Sequence, residues 1–242
     1  MRFVSCHDGK LQVTSPLTAQ EAGNVPLARA FATGLGSWDE LAPAHHFARG
    51  AIHELLFDAP HGQPEFVAAL LAQKAAGLLL PVIWCDRRAQ VYPPALASTG
   101  FDLTKFYLLH PDSESAAATA IAECLRCRGV GAVIAAAPTR LSRIEARRLQ
   151  LAAERGGSVG ILLRQRGRGD DIYAAATRWL VQPYPGERTI QRWAIQLLHG
   201  HGGRVGQTVI LECCRETNSV RALEKLHHRS IAETVKTRRA IA

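Results

Sequence analysis

No hydrophobic run in this 242-residue chain is long enough to cross a bilayer. The longest apolar stretch, Leu78 to Cys85, falls far short of the roughly 20 residues that a membrane helix needs. The opening Met1-Arg2-Phe3-Val4-Ser5-Cys6-His7-Asp8 lacks the apolar core of a signal peptide, so the expectation is a cytoplasmic protein. The cysteines (Cys6, Cys85, Cys124, Cys127, Cys213 and Cys214) do not form the pattern of a disulfide framework. Cys124-x-x-Cys127 has no second Cys-x-x-Cys to complete the four ligands of a structural zinc, so no metal is expected and the thiols read as buried or half-buried. His45-His46 and His199-x-His201 lack neighbouring carboxylates or cysteines and read as surface histidines. There is no Gly-x-Ser-x-Gly and no Cys-His pair in a recognisable context, which excludes the common acyl-transfer designs. Acidic residues are also short: 21 against 29 Lys and Arg give a net charge of +8, which favours anionic partners, nucleic acid first.

What is present is a globular composition, 47% hydrophobic and 21% charged, compatible with one α/β domain. Residues 1–30 show little periodicity and read as a lead-in, partly extended or mobile. Residues 31–226 read as the domain. Strands are expected to end near Phe57, Cys85, Leu109, Ala136 and Leu163, with helices between them. Ser142-Arg143-Ile144-Glu145 is a capping box that opens a helix running to about Arg155 and stopping at Gly156-Gly157. From Thr177 on, Thr177–Gln182, Gln191–Leu198 and Gln207–Glu212 alternate like antiparallel strands separated by Gly-rich turns. Residues 227–242 read as a basic tail that frays. Trp38, Trp84, Trp179 and Trp193 read as core residues.

The stretch Ala51 to Gly77 organises the rest. It reads as a strand, the loop Asp58-Ala59-Pro60-His61-Gly62-Gln63, and a helix beginning near Pro64, which is the setting of a phosphate-binding loop. Such a loop ends Gly-Lys-Ser/Thr because glycine lets backbone wrap phosphate, lysine bridges the terminal phosphates and the hydroxyl holds magnesium. Here the triplet is Gly62-Gln63-Pro64. Gln63 has no charge, and Pro64 has neither a hydroxyl nor a backbone N–H. The amides near His61 and Gly62 keep a residual, nucleotide-type anion site at Pro60, His61, Gly62 and Gln63 in view, set against a plain structural turn.

Order and spacing over roughly Phe31 to Glu212 resemble the RecA-like ATPase core, a three-layer α/β fold with a mainly parallel sheet. The region VIWCDRRAQVYPPALASTGFDLTKFYLLHPDS carries the order strand, Asp, helix, Gly-hydrophobic-Asp-hydrophobic, strand, Pro-Asp. Thr33-Gly34 with Asp39 and Leu41 resembles the segment preceding the phosphate loop. Within that superfamily the chain is most similar to the ImuA-like proteins, on TGLGSWDEL, AIHELL after Arg49-Gly50, RRLQLAAERGGSVGILLR and TRWLVQPYPG with RWAIQLLHGHGGR. The resemblance implies an accessory role in damage-induced (SOS) translesion mutagenesis, with RecA, an inactive Y-family polymerase relative and an error-prone replicative-type polymerase as partners.

Carried over by spacing, the RecA pattern puts its phosphate-loop Lys on Gln63 and its magnesium-binding Thr on Pro64. The catalytic Glu falls on Arg88, beside a retained Asp86, and the Walker B Asp on Ala137. Phosphoryl transfer needs charge on the phosphates, held magnesium and an oriented water. With all of these roles unfilled, the expectation is no enzyme, no catalytic residue and no turnover of ATP and magnesium. An active DNA-dependent ATPase and an SOS cell-division inhibitor are the competing functions; the first lacks its chemistry, and no surface identifies the second. Two arginine groups follow strand ends, Arg140 and Arg143 after the fourth strand and Arg164, Arg166 and Arg168 after the fifth. They are the candidates for contact with DNA or an acidic partner. Arg147 and Arg148 lie further along the helix and, one apart, are not expected to share a face.

Overall fold

The computed structural model describes residues 4–7, 10–13, 29–58, 64–87, 91–98, 100–136, 142–167 and 175–226. Val4–His7 (β1) and Lys10–Val13 (β2) form an antiparallel ladder of their own, so the lead-in contains a regular pair of strands. Ala30–Phe31 (β3) pairs with Phe47–Ala48 (β4) across the four-residue helix α1, Gly36–Asp39. The main sheet has nine strands. In chain order they are β5 (Ala51–Phe57), β6 (Val82–Cys85), β7 (Phe106–Leu109), β8 (Ala132–Ala136), β9 (Val159–Gln165), β10 (Ala175–Tyr184), β11 (Ile190–Gly200), β12 (Thr208–Cys214) and β13 (Val220–Leu226). Their order in space is β13-β12-β11-β10-β5-β9-β8-β6-β7.

The five expected parallel strands are all in this sheet and all parallel. The switch to antiparallel pairing comes one strand later than the sequence suggests. β10 runs parallel to β5, with Trp179 beside Leu55, and only β11, β12 and β13 are antiparallel. Period-two alternation is indifferent to a neighbour's direction, so Thr177–Gln182 looks the same either way. The polar edge strand β13 was not anticipated.

The helices form where short-range signals dictate. Alanine- and leucine-rich Glu65–Ala76 (α2) turns Val67, Ala68, Leu71, Ala72, Ala75 and Ala76 inward and ends at Gly77, where φ is +62°. Pro93–Ala97 (α3) starts on two prolines. Ser113 caps Glu114–Arg126 (α4), its hydroxyl accepting the Ala116 N–H at 3.1 Å. Arg143–Gly156 (α5) opens with both halves of the capping box and closes at Gly157 in the left-handed conformation. The long α2 covers one face of the sheet. α4 and α5 pack together on the other, against β5, β6, β8 and β9. Gly156 permits that second layer: a Cβ there would lie 2.0 Å from the Leu125 carbonyl oxygen.

The larger core lies on the α2 side. Trp38, Phe47 and Trp179 pack edge-to-face and stacked around the start of β5, and Phe66 stacks on Trp193 at 4.5 Å. All four tryptophans are buried, as expected. Truncating any of them to alanine would cost about 3–5 kcal/mol. Among the described residues no helix is long and apolar enough to cross a membrane.

Candidate functional site

The sheet order sets the carboxyl ends of β5, β9, β8 and β6 side by side at one edge, where open α/β sheets bind ligands. Segments 59–63, 88–90, 137–141 and 168–174, which follow these strands, lie outside the described residues. That places Pro60, His61, Gly62, Gln63, Arg88, Ala137, Arg140 and Arg168 outside them too. The frame around the loop is defined. β5 stops at Phe57, whose carbonyl accepts the Arg166 N–H at 2.8 Å. The Asp58 carboxylate accepts from Gln182 at 3.0 Å, and α2 begins at Glu65 behind Pro64, with no side-chain cap.

Glu65 stands in the first turn of α2, so a carboxylate already complements the positive helix end that would otherwise attract an anion. Its surroundings raise its pKa, mainly by desolvation and further by the negative charge of Asp86; its own backbone N–H pulls the other way. Asp86 is buried at the end of β6. Its N–H donates to Leu109 O at 3.0 Å, and its carbonyl accepts from His110 Nδ1 at 2.7 Å. Burial, and then Asp86, push the adjacent Cys85 thiol up to about 11, which leaves it protonated and unreactive.

Of the arginines expected to share one surface, only Arg143, Arg164 and Arg166 are among the described residues. Arg164 is a correction: β9 runs through Gln165, and Arg164 is 1% exposed inside it. Its guanidinium donates to Glu54 Oε1 at 2.6 Å, while Arg178 on β10 donates to Glu54 Oε2 at 2.6 Å. Three neighbouring strands thus share one buried carboxylate, and Arg164 cannot present charge to DNA or a partner. Arg166 is exposed. Arg143 is exposed too, but it joins a different group. With Arg147, Arg148 and Arg155 of α5 and Arg126 at the end of α4 it lines a groove of about 470 Å³. Arg147 and Arg148 therefore do serve one surface, because long side chains from adjacent positions reach the same groove. Arg126 and Arg155 were not singled out from sequence.

The remaining candidates are structural. Asp39, buried, accepts from the Thr33 N–H at 2.8 Å, the Thr33 hydroxyl at 2.8 Å and the Gly34 N–H at 3.0 Å, locking the TGLGSWDEL segment ahead of β5. Cys85, Cys124 and Cys213 are buried, Cys127 and Cys214 half-buried, and all five are thiols. His45, His46, His199 and His201 are exposed. His53 is the histidine that sequence reasoning missed: it is fully buried in β5 and hydrogen-bonded on both nitrogens.

No protein-family model matches the chain. It is similar to the protein named Protein ImuA in two strains of Caulobacter vibrioides, NA1000 / CB15N and CB 15. The identity is 27% over 214 residues, covering 78% of this chain and 86% of the relative in each case. The ImuA-like resemblance read from the motifs therefore extends along most of both chains.

Proposed function

We propose that this chain is a non-catalytic, RecA-like accessory protein of damage-induced translesion mutagenesis. It acts in the cytoplasm as an adaptor for RecA and error-prone polymerase partners, with DNA as a further contact. The observation that carries the reading is the similarity to Protein ImuA across most of both chains. The sheet supports the RecA-like part: a strand-loop-helix unit leaves a central strand, β5, whose neighbours β9 and β10 come from far along the chain.

The adaptor part rests on what each position can do. Gln63 cannot neutralise phosphate charge, Pro64 cannot hold magnesium, Arg88 cannot accept a proton from water, and Ala137 cannot coordinate. Losing one electrostatic stabiliser typically costs roughly 100–1000-fold in rate. Binding, rather than turnover, is what the remaining surface is suited to.

The test has two arms. A strain lacking the gene should lose damage-induced mutation while keeping its spontaneous rate, and the wild-type gene should restore it. Purified protein should show no magnesium-dependent ATP hydrolysis above background. Unchanged damage-induced mutation in the deletion strain would remove the mutagenesis role, and turnover abolished by Gly62→Asp would remove the non-catalytic one.

A further inference from the structure

The outer face of α5 has a pattern of its own. Ile144, Arg148, Leu151 and Arg155 follow one another at spacings of four, three and four, the seam by which one helix packs on another. Ile144 is 81% exposed. Arg143, Arg147 and Arg126 flank this seam, and among the described residues no acidic one lines the groove. Of the nearby carboxylates, two balance flanking arginines and a third caps the helix. Glu123 pairs with Arg126 at 2.6 Å, Glu154 approaches Arg147 at 3.8 Å, and Glu145 closes the capping box on Ser142. From Arg143 to Arg155 the helix runs about 18 Å, three turns and more.

We infer that this groove docks an acidic amphipathic helix of a partner protein. Its apolar residues sit on Ile144 and Leu151, and its carboxylates meet Arg148 and Arg155. Charge complementarity sets the sign of the partner, and the interleaved aliphatic positions set its class. A nucleic-acid strand would gain nothing from an exposed isoleucine, and the groove has no aromatic ring on which a base could stack. A partner helix uses both, because apolar anchors drive association while arginine–carboxylate pairs fix register and raise the association rate. This inference stands apart from the functional reading above, since the seam and charges are there whether or not the chain serves mutagenesis.

The probe is a fluorescein-labelled synthetic peptide of about 21 residues, long enough to form helix, with leucines at four-three spacing and glutamates on both flanks. Anisotropy is followed across a salt series with the full chain, with Ile144→Asp, and with the double variant Arg148→Glu, Arg155→Glu. All three positions are on the exposed face, and far-UV circular dichroism checks that each variant is folded. The expected result is saturable binding that weakens with salt and falls on the order of tenfold or more in each variant. A lysine-flanked peptide should not bind. Absence of saturable binding, or equal binding by all three proteins, overturns the inference. So does oligothymidine binding that the double variant loses and Ile144→Asp keeps, which would assign the groove to nucleic acid.

Discussion

Acidification from pH 7 to pH 5 should cost this protein stability through His53. The imidazole is fully buried on β5, beside the rings of Phe31 and Phe47. A carbonyl can only accept, so His53 Nε2–H donates to Ala48 O at 2.9 Å, and Nδ1 accepts the Thr177 hydroxyl at 2.7 Å. That hydroxyl accepts in turn from Trp179 Nε1–H at 2.8 Å. The neutral ring is thus satisfied on both sides, whereas an imidazolium would be a buried charge. Burial lowers the pKa from 6.5 to about 4, only partly opposed by the Ala48 carbonyl. The sign follows: as pH falls, the unfolded chain takes up the proton first. The contribution is whole above pH 6.5 and is lost progressively down to about 4. Over the interval from pH 7 to 5 the loss from this one side chain is about 2 kcal/mol. Urea denaturation at a series of pH values, for wild type and His53→Gln, measures it. Wild type should lose that stability, and the variant should have a flatter profile. Identical pH dependence in the two proteins, or an imidazole NMR titration placing His53 near 6.5 in the folded state, would refute the reasoning.

Other substitutions have equally specific outcomes. Asp39→Ala removes an acceptor serving three donors of Thr33 and Gly34 and should lower stability by about 3 kcal/mol, read as a drop in denaturation midpoint. Arg164→Ala removes one of the two arginines that share the buried Glu54 carboxylate and should cost about 3–5 kcal/mol. Arg166→Ala should stay within about 0.5 kcal/mol, so any effect of Arg164 on binding must be separated from unfolding by thermal melts. Cys214, whose thiol pKa is lowered chiefly by a hydrogen bond involving Thr217, should be alkylated before Cys85, whose pKa is raised; peptide mapping after brief iodoacetamide treatment decides it.

Much of the fold was legible because its signals are short-range. The apolar runs at Val82–Cys85 and Ala132–Ala136, the capping box at Ser142 and the glycine stop at Gly157 each depend on a few adjacent residues. The direction of β10 was not legible, because it depends on β5 lying beside it rather than on β10's own residues. Val220–Leu226 reads like loop in the sequence because an edge strand bears charges. Arg164 was placed on a surface for a similar reason: its partner Glu54 lies 110 residues away. A trace was available in AIHELLF, where a carboxylate inside a buried strand calls for a cation. The arginine groove was half visible, since Arg143, Arg147 and Arg148 share α5, but only the packing of α4 on α5 brings in Arg126.

The place of β5 also governs when the protein can fold. Its two neighbours in the sheet are β9 and β10, and the Glu54 contacts span 110 and 124 residues of chain. A ribosome adding about 5–20 residues each second needs roughly 5–25 s to deliver them after β5 has been made. For that interval AIHELLF, apolar and with both edges unpaired, emerges without its native partners, and Glu54 without its counter-charges. The centre of the sheet is therefore laid down first and closed nearly last. Closure of β5 therefore waits for β10, and nascent chains shorter than about Leu180 expose an apolar strand with an unpaired edge.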